Sequence, residues 1–338
     1  MKIAVLFGGT STERDVSVAS GSQVIGALRK AGHEVVAVEA SRGVLLPEHE
    51  HQVLSERIDR LPPVEAKAHE PQLPAIVASA GLEDLDLMFL AMHGGIGEDG
   101  TTQGLLELAG IPYTGSGALG SALAMDKDVA KRLFLAAGVP TPRWLMTPVT
   151  SEEVDQQIGF PVIVKPNGQG STVGLSLVSD RSRLDGAIDL AAGFGGQVMV
   201  EQYIPGRELT VGILDDVALA VGEIIPETGD IFDYTAKYQS GAAQEIFPAG
   251  LSERDAERVR ELGLTAHRAL KLASYSRVDF RMDPDGGLWC LEANTLPGLT
   301  AGSLLPKSAA AVGISFPELC ERICRGGLAN RGDSDAER

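Results

Sequence analysis

The chain has 338 residues, 44% of them hydrophobic and 22% charged, with a net charge of −17 from 29 basic and 46 acidic side chains. That length suits two or three domains with a sizeable core, and no apolar run approaches the ~20 residues of a membrane helix. The acidic balance disfavours a nucleic-acid or anionic-membrane surface, so a nucleotide-binding protein of this composition must gather its few cations in one place.

Three cysteines, Cys290, Cys320 and Cys324, cannot build a disulfide framework. They read as small core residues, and a reducing cytoplasm is the expected setting. The opening MKIAVLFGG is too short in its apolar part for a signal peptide and meets Gly-Gly without a small-residue cleavage site.

The apolar run 3-IAVLF-7 has the pattern of a strand covered on both faces. A helix follows, with Val16, Ser20, Val24, Ala27 and Leu28 on one face and Gly32 at its close, and then a strand at 34-EVVAVEA-40. This strand, helix, strand unit predicts an α/β opening with a parallel sheet. Glu13 falls at the helix entry, beyond the carboxyl end of the first strand, where it can bind a ligand or simply complement the helix dipole.

Residues 41–74 have no clear period and suggest a loop with one short helix, with 49-HEH-51 on the surface. A second buried strand, 85-LDLMFLAM-92, runs into the glycine-dense loop 93-HGGIGEDG-100, where His93 is a candidate for an anionic substrate, and then into a helix closed by Gly110. At 115-GSGALG-120 stands a literal G-x-G-x-x-G after a possible strand at 111–114. No acidic residue follows about twenty positions later to hold a ribose, which argues against a dinucleotide turn. The P-loop pattern is absent.

The helical stretch 118–138 ends at Gly138 and Pro140, a boundary before a second lobe. Thr150 and Glu153 form a capping box. The strand 161-PVIVKP-166 carries Lys165 into 167-NGQGSTVG-174, a loop able to fold over phosphates and offer backbone N–H groups, or to serve as an ordinary hairpin. Strands at 198–204 and 208–214 flank a Pro-Gly bend, placing Glu201 and Glu208 where a nucleoside could be gripped. Residues 229–250 are long and irregular, as in a lid or binding loop, and 252–272 form a capped amphipathic helix.

The stretch 275-YSRVDFRMDPDGGLWCLEANTLPGLTAGSLLP-306 reads as two strands joined by a tight turn. Alternation puts Arg277 and Asp279 on one face, and Glu292 and Asn294 on one face. If the turn pairs the strands, three oxygen ligands and a guanidinium converge, a set suited to Mg2+ and phosphate. A solvated hairpin with scattered charge is the alternative.

In this order the pieces resemble the D-alanine:D-alanine ligases of the ATP-grasp superfamily over residues 1 to about 325. The matching strings are GGTSTERDVSVASG at 8–21, HGGIGEDGTTQGLLELAGIPYTGSG at 93–117, MDK at 125–127, VIVKPNGQGSTVG at 162–174, DYTAKY at 233–238 and LEANTLPGLTAGSLLP at 291–306. The resemblance implies an α/β ATP-grasp fold: an N-terminal parallel α/β domain over 1–115, a central ATP-grasp lobe over 116–202, a C-terminal lobe with the metal and catalytic site over 203–328, and a frayed tail over 329–338.

It also implies a reaction. The γ-phosphoryl of ATP passes to the carboxylate of one D-alanine, and the amine of a second attacks the acylphosphate. ATP and two Mg2+ are implied, with Mn2+ as a substitute for Mg2+. By motif position Asp279 and Glu292 hold one metal, and Glu292 and Asn294 the other. Lys127, Lys165 and Lys237 contact ATP phosphates; Glu201 and Glu208 contact adenine and ribose. Arg277 and the Gly298 N–H stabilise the acylphosphate and tetrahedral intermediate. Glu13 pairs with the first D-alanine's ammonium, with His93 nearby. Ser171 and Tyr238 bond to Glu13, and Ser303 with Leu304 receives the second carboxylate.

The chain departs from the family pattern at Gln202, where lysine is common, and at 273-ASYS-276, where glycine is. Lys237-Tyr238 resembles the dipeptide-forming members, so the implied acceptor is an amine. A relative using D-serine, D-lactate or another amino acid is the alternative, and a non-catalytic nucleotide binder is disfavoured by the intact polar set. By analogy the implied assembly is a homodimer in the cytoplasm, with no nucleic-acid or membrane partner.

Overall fold

The computed structural model describes residues 1–55, 73–78, 82, 84–226 and 243–336. Lys237 and Tyr238, and with them most of the expected lid, lie outside the described residues.

Strand β1 (Lys2–Phe7) is buried at every position after the first and pairs in parallel with β2 (Glu34–Glu39) and β4 (Leu87–Leu90). The two-residue β3 (Gly43–Val44) closes the edge antiparallel, giving the order β3-β2-β1-β4. Helix α1 (Arg14–Lys30) covers this sheet with Val18, Val24, Ile25 and Leu28. The described part of 41–74 holds one short helix, α2 (Pro47–Leu54), as expected, and a second, α3 (Leu73–Val77), begins at the end of that range. They form because Val53, Leu73 and Ile76 reach the same core. Residues 111–114 form only a bridge, Met88 to Tyr113, rather than a strand.

After α4 (Thr101–Ala109), the expected single helix over 118–138 is two, α5 (Ala118–Met125) and α6 (Lys127–Ala136). Asp126 leaves the helical region at ψ 99° and its carboxylate accepts the Val129 N–H at 3.0 Å, capping α6 and setting Lys127 at its first turn. The glycine pattern at 115–120 has a packing role. A Cβ on Gly120 would stand 2.7 Å from the Lys271 carbonyl oxygen, so only glycine lets α5 lie against that loop.

An antiparallel sheet ordered β5-β8-β6-β7 follows: β5 (Trp144–Met146), β6 (Val162–Pro166), β7 (Ser176–Val178) and β8 (Val198–Gln202). Helices α7 (Ser151–Gln157), begun by the Thr150/Glu153 capping box, and α8 (Leu184–Ala192) supply Val154, Leu184, Ala187 and Ala191 to its core.

The last sheet is antiparallel, ordered β11-β10-β9-β12-β13, from β9 (Arg207–Leu214), β10 (Val217–Pro226), β11 (Ala243–Ile246), β12 (Tyr275–Met282) and β13 (Leu288–Asn294). Its core takes Val259 and Ala266 from α9 (Glu253–Ala269), and also Ala124, Ala130, Phe134 and Val139, so α5 and α6, grouped by sequence with the central lobe, bury their apolar side here.

The chain ends with α10 (Leu304–Ala310) and α11 (Phe316–Ala336), which returns to α1. Leu319, Cys320, Ile323 and Cys324 join the core of the first sheet. The helix runs on to Ala336 where the sequence suggested fraying from 329. Its Gly326-Gly327 pair does not break it because both face close neighbours: a Cβ on Gly327 would meet the Tyr113 carbonyl oxygen at 2.6 Å.

Candidate active site

The floor is the β12–β13 hairpin. Its turn is built by Asp283, whose Oδ1 accepts the Asp285 and Gly287 N–H groups at 3.1 and 2.7 Å while Oδ2 accepts the Trp289 indole N–H at 2.8 Å. The register sets Arg277 opposite Asn294 and Asp279 opposite Glu292. Leu291 is then the extra residue of a bulge, since Phe280 pairs with Cys290. Asp279 Oδ1 accepts from Thr210 Oγ1 at 2.7 Å and from Arg277 Nε at 2.9 Å; its Oδ2 accepts from Arg277 Nη2 at 2.8 Å and Asn294 Nδ2 at 3.0 Å. The solvated-hairpin alternative fails, because these groups converge on one partly buried carboxylate.

Cations from α6 and β6 face this floor. Lys127, at the start of α6, donates to the Gln169 carbonyl at 2.7 Å and stands 3.3 Å from Glu292 Oε2, tying the glycine loop to the hairpin. Lys165 on β6 donates to Glu201 Oε2 at 2.7 Å. The other oxygen, Oε1, accepts from Lys131 at 2.7 Å. Glu201 is 2% exposed, and although burial pushes its pKa up, the two ammonium groups outweigh that and hold it below the usual carboxylate range. Its expected contact with a nucleoside is therefore corrected in one respect: the carboxylate is first engaged by two lysines. Glu208 on β9 lies opposite Arg281 and within 3.3 Å of its Nη1.

Glu13 and Ser171 close a third side. The Ser171 hydroxyl donates to Glu13 Oε1 in a short bond, and both residues are buried. Glu13 fits there because its neighbours lack side chains: a Cβ on Gly94 would come within 2.6 Å of Glu13 Oε2. His93 is buried, with Nδ1 at 2.9 Å from the Leu296 carbonyl oxygen and Nε2 at 2.9 Å from Ser20 Oγ. Both ring nitrogens are thus committed to protein partners, and its expected role as a substrate ligand becomes one of holding the loop after β13. That loop carries Gly298 and ends at Ser303, which caps no backbone group of α10; its Oγ instead accepts the Thr300 N–H at 3.2 Å.

Glu13, His93, Lys127, Lys165, Ser171, Glu201, Glu208, Arg277, Asp279, Glu292, Asn294, Gly298, Ser303 and Leu304 all line one cavity of about 460 Å³. Among the described residues no three His, Cys, Asp or Glu side chains converge as a metal cage. Asp279, Glu292 and the Asn294 amide form the smaller, all-oxygen donor set that suits Mg2+, which leaves its other positions to water and phosphate. The residues present fit that ion.

Three contributors were not found from sequence. Lys131 is fully buried on the α6 face that also buries Ala130 and Phe134, and a lysine on an apolar helical face was its signal. Arg281 shares the alternation of Arg277 and Asp279 and donates to the Ile204 carbonyl at 3.0 Å. Ser20 looked like one more residue of the buried face of α1, yet it accepts the Leu299 N–H at 3.2 Å.

Family models described as D-ala D-ala ligase N-terminus and D-ala D-ala ligase C-terminus match residues 2–116 and 134–325. A D-alanine--D-alanine ligase of Anaeromyxobacter sp. (strain Fw109-5) is 41% identical over 329 residues, 96% of each chain. One from Geobacter sulfurreducens is 42% identical over 325 residues, covering 95% of this chain and 92% of its own. Among solved structures, the D-alanine--D-alanine ligase of Bacillus anthracis complexed with ATP superposes with a TM-score of 0.79 at 34% identity, over 99% of both chains.

Proposed function

The chain belongs to the D-alanine–D-alanine ligase family, and from that premise we propose that its cavity joins two D-alanines into D-alanyl-D-alanine, with ATP converted to ADP and phosphate, for peptidoglycan precursor synthesis. The fold is ATP-grasp, and ATP is the phosphoryl donor. The observation that carries the site assignment is the meeting in one cavity of Asp279, Glu292 and Asn294 with Lys127, Lys165 and Arg277, and of all six with Glu13.

The chemistry explains that composition. A carboxylate must approach the γ-phosphorus of a polyanion, so positive charge has to be in place before the reactants arrive. Lys127 and Lys165 supply it to the phosphates. Asp279, Glu292 and Asn294 would hold Mg2+, which contributes neutralisation of phosphate charge. Glu208 takes the ribose hydroxyls, and Glu201, its charge matched by two lysines, borders the base.

Glu13 accepts the ammonium of the first D-alanine and so points its carboxylate at the phosphates; the bond from Ser171 fixes the Glu13 rotamer. Once the acylphosphate has formed, the amine of the second D-alanine attacks its carbonyl carbon, a C–N bond forms and phosphate leaves. Arg277, held in plane by two N–H···O contacts to Asp279, and the Gly298 N–H face the charge that develops. Ser303 with Leu304, at the head of α10, receives the second carboxylate. On motif position alone, Lys237 adds a phosphate contact and Tyr238 a bond to Glu13.

The setting that fits is a cytoplasmic homodimer acting on small molecules; no described helix is long and apolar enough to cross a membrane. The test is product identification by mass from ATP, Mg2+ and a mixture of D- and L-amino acids. D-alanyl-D-alanine with stoichiometric phosphate is expected. Phosphate release indifferent to D-alanine, or a mixed dipeptide as the main product, would overturn the reading.

A further inference from the structure

Lys131 is a lysine with no exposed surface that does not border the cavity. Its ammonium donates to Glu201 Oε1 at 2.7 Å and to Thr141 Oγ1 at 2.6 Å, and it lies 5.1 Å from the centre of the Trp144 ring. Thr141 spends its own proton on the Cys290 carbonyl at 2.7 Å, so its oxygen can only accept from Lys131. Glu201 and Thr141 thus both accept from this amine, while the nearby Lys165 ammonium opposes its charge. Burial pulls the Lys131 pKa below that of an ordinary lysine, against the attraction of Glu201. An apolar side chain of similar volume would serve stability as well or better at such a place, because a buried ion pair rarely recovers its desolvation cost.

On the other oxygen of Glu201 sits Lys165, which does border the cavity. One carboxylate thus stands between two ammonium groups, a net charge of +1, with the deep lysine on one side and the cavity lysine on the other. We propose that Lys131 is a positioning residue for ATP: by neutralising Glu201 from behind, it leaves the charge of Lys165 uncancelled at the cavity wall, where the phosphates bind. Without Lys131, Glu201 and Lys165 form a closed neutral pair, and a phosphate must pull Lys165 off a buried carboxylate before gaining its charge. The proposal rests on the ligase reading for the identity of the nucleotide, but not on the acceptor.

The experiment compares Lys131→Met, which removes the charge, with Lys131→Gln, which removes the charge but keeps a hydrogen-bond donor for Glu201. Binding of Mg2+ with a non-hydrolysable ATP analogue, and separately of adenosine, is measured by calorimetry without D-alanine, and KM is measured for ATP and for D-alanine. Both variants should weaken the analogue and raise KM for ATP about tenfold, while adenosine affinity and KM for D-alanine stay within about twofold, because only the phosphates meet Lys165. A purely structural tie from α6 to β8 would weaken adenosine as much as the analogue, and that result, or an unchanged ATP affinity, overturns the proposal. Should Lys131→Met not fold, Lys131→Gln decides by the same pair of affinities: a loss confined to the phosphate-bearing ligand supports the proposal, and an equal loss for both ligands or none for either ends it. Because the binding arm contains no amino acid, a different acceptor specificity would leave this result intact.

Discussion

Ser171 and Glu13, 158 positions apart in the chain, share a short hydrogen bond that joins the glycine loop after β6 to the entry of α1. Ser171 and Thr172 both sit at positive φ, 50° and 62°, conformations that cost a non-glycine residue ~1–2 kcal/mol each. The contact across the cavity is one of the interactions that offsets that cost. It fixes Glu13 where Gly94 and Gly170 leave room for its carboxylate.

Two substitutions separate the parts of this relationship. Glu13→Gln removes the charge that pairs with an ammonium, and kcat/KM for D-alanine should fall by roughly 10²-fold or more, while calorimetric affinity for the ATP analogue stays within about twofold. Ser171→Ala keeps the charge and loses only its orientation. About a tenfold fall in kcat/KM is expected, the effect of losing one hydrogen bond to a charged group. If Ser171→Ala matched Glu13→Gln, Ser171 would be touching substrate rather than acting through Glu13.

The hairpin makes a separate prediction about metal. Glu292 faces Asp279 across the β12–β13 register and also stands 3.3 Å from Lys127, so on the proposed metal set Glu292→Gln removes a ligand and releases a lysine at once. The Mg2+ concentration for half-maximal activity should rise at least about tenfold, and kcat should fall by roughly 10²–10³-fold at saturating metal. Chelation of Mg2+ should stop phosphate release in the unmodified protein. Full turnover in Glu292→Gln at unchanged Mg2+ demand would remove Glu292 from the metal set.

How legible this was in the sequence depends on the range of each interaction. Strand alternation placed Arg277, Asp279, Glu292 and Asn294 correctly because their convergence depends only on one local turn, closed by Asp283. The capping box at Thr150 was readable for the same reason. The break at Asp126 was missed because Ala-rich 118–125 favours helix straight through; what overrides it is a distant partner, the Asn167 amide, which donates to the Asp126 carboxylate at 2.8 Å. Lys131 and Ser20 were hidden likewise, since nothing near them in sequence reveals Glu201 or the Leu299 N–H.

The loop after β13 is held by side chains of α1 and by His93. The Leu296 carbonyl can only accept, so His93 Nδ1 donates to it; Nε2 lies 2.9 Å from the Ser20 hydroxyl, whose oxygen accepts the Leu299 N–H. Gln23 Oε1 adds a hold on the Ala301 N–H at 2.6 Å. Gly298 lies inside this span and Ser303 just beyond it. Ser20→Ala should therefore raise KM for the second D-alanine about three- to tenfold, with ATP affinity unchanged, as measured by initial rates at saturating ATP over a wide D-alanine range. An equal loss of ATP affinity would show general damage instead of a displaced acceptor loop.

His267 provides a pH test of the strand beneath the site. It is buried on α9, its Nδ1 is 2.7 Å from the hydroxyl of Ser276, and burial lowers its pKa from 6.5 to about 4. Ser276 immediately precedes Arg277 on β12. The imidazole is neutral when folded, while in the unfolded chain it takes up a proton at its ordinary pKa. Above pH 6.5 the two states bind protons alike and nothing is lost. As pH falls from about 6.5 toward 4 the unfolded state gains a proton that the folded state refuses, so stability drops across that window by on the order of 3 kcal/mol. His267→Gln, which cannot titrate, should remove this slope. Its thermal midpoint should be lower than that of the unmodified protein at pH 8, from the disturbed packing, and the gap should narrow by several degrees at pH 4.5. Parallel pH profiles for the two proteins would show that His267 titrates normally and that its burial does not govern the acid stability of β12.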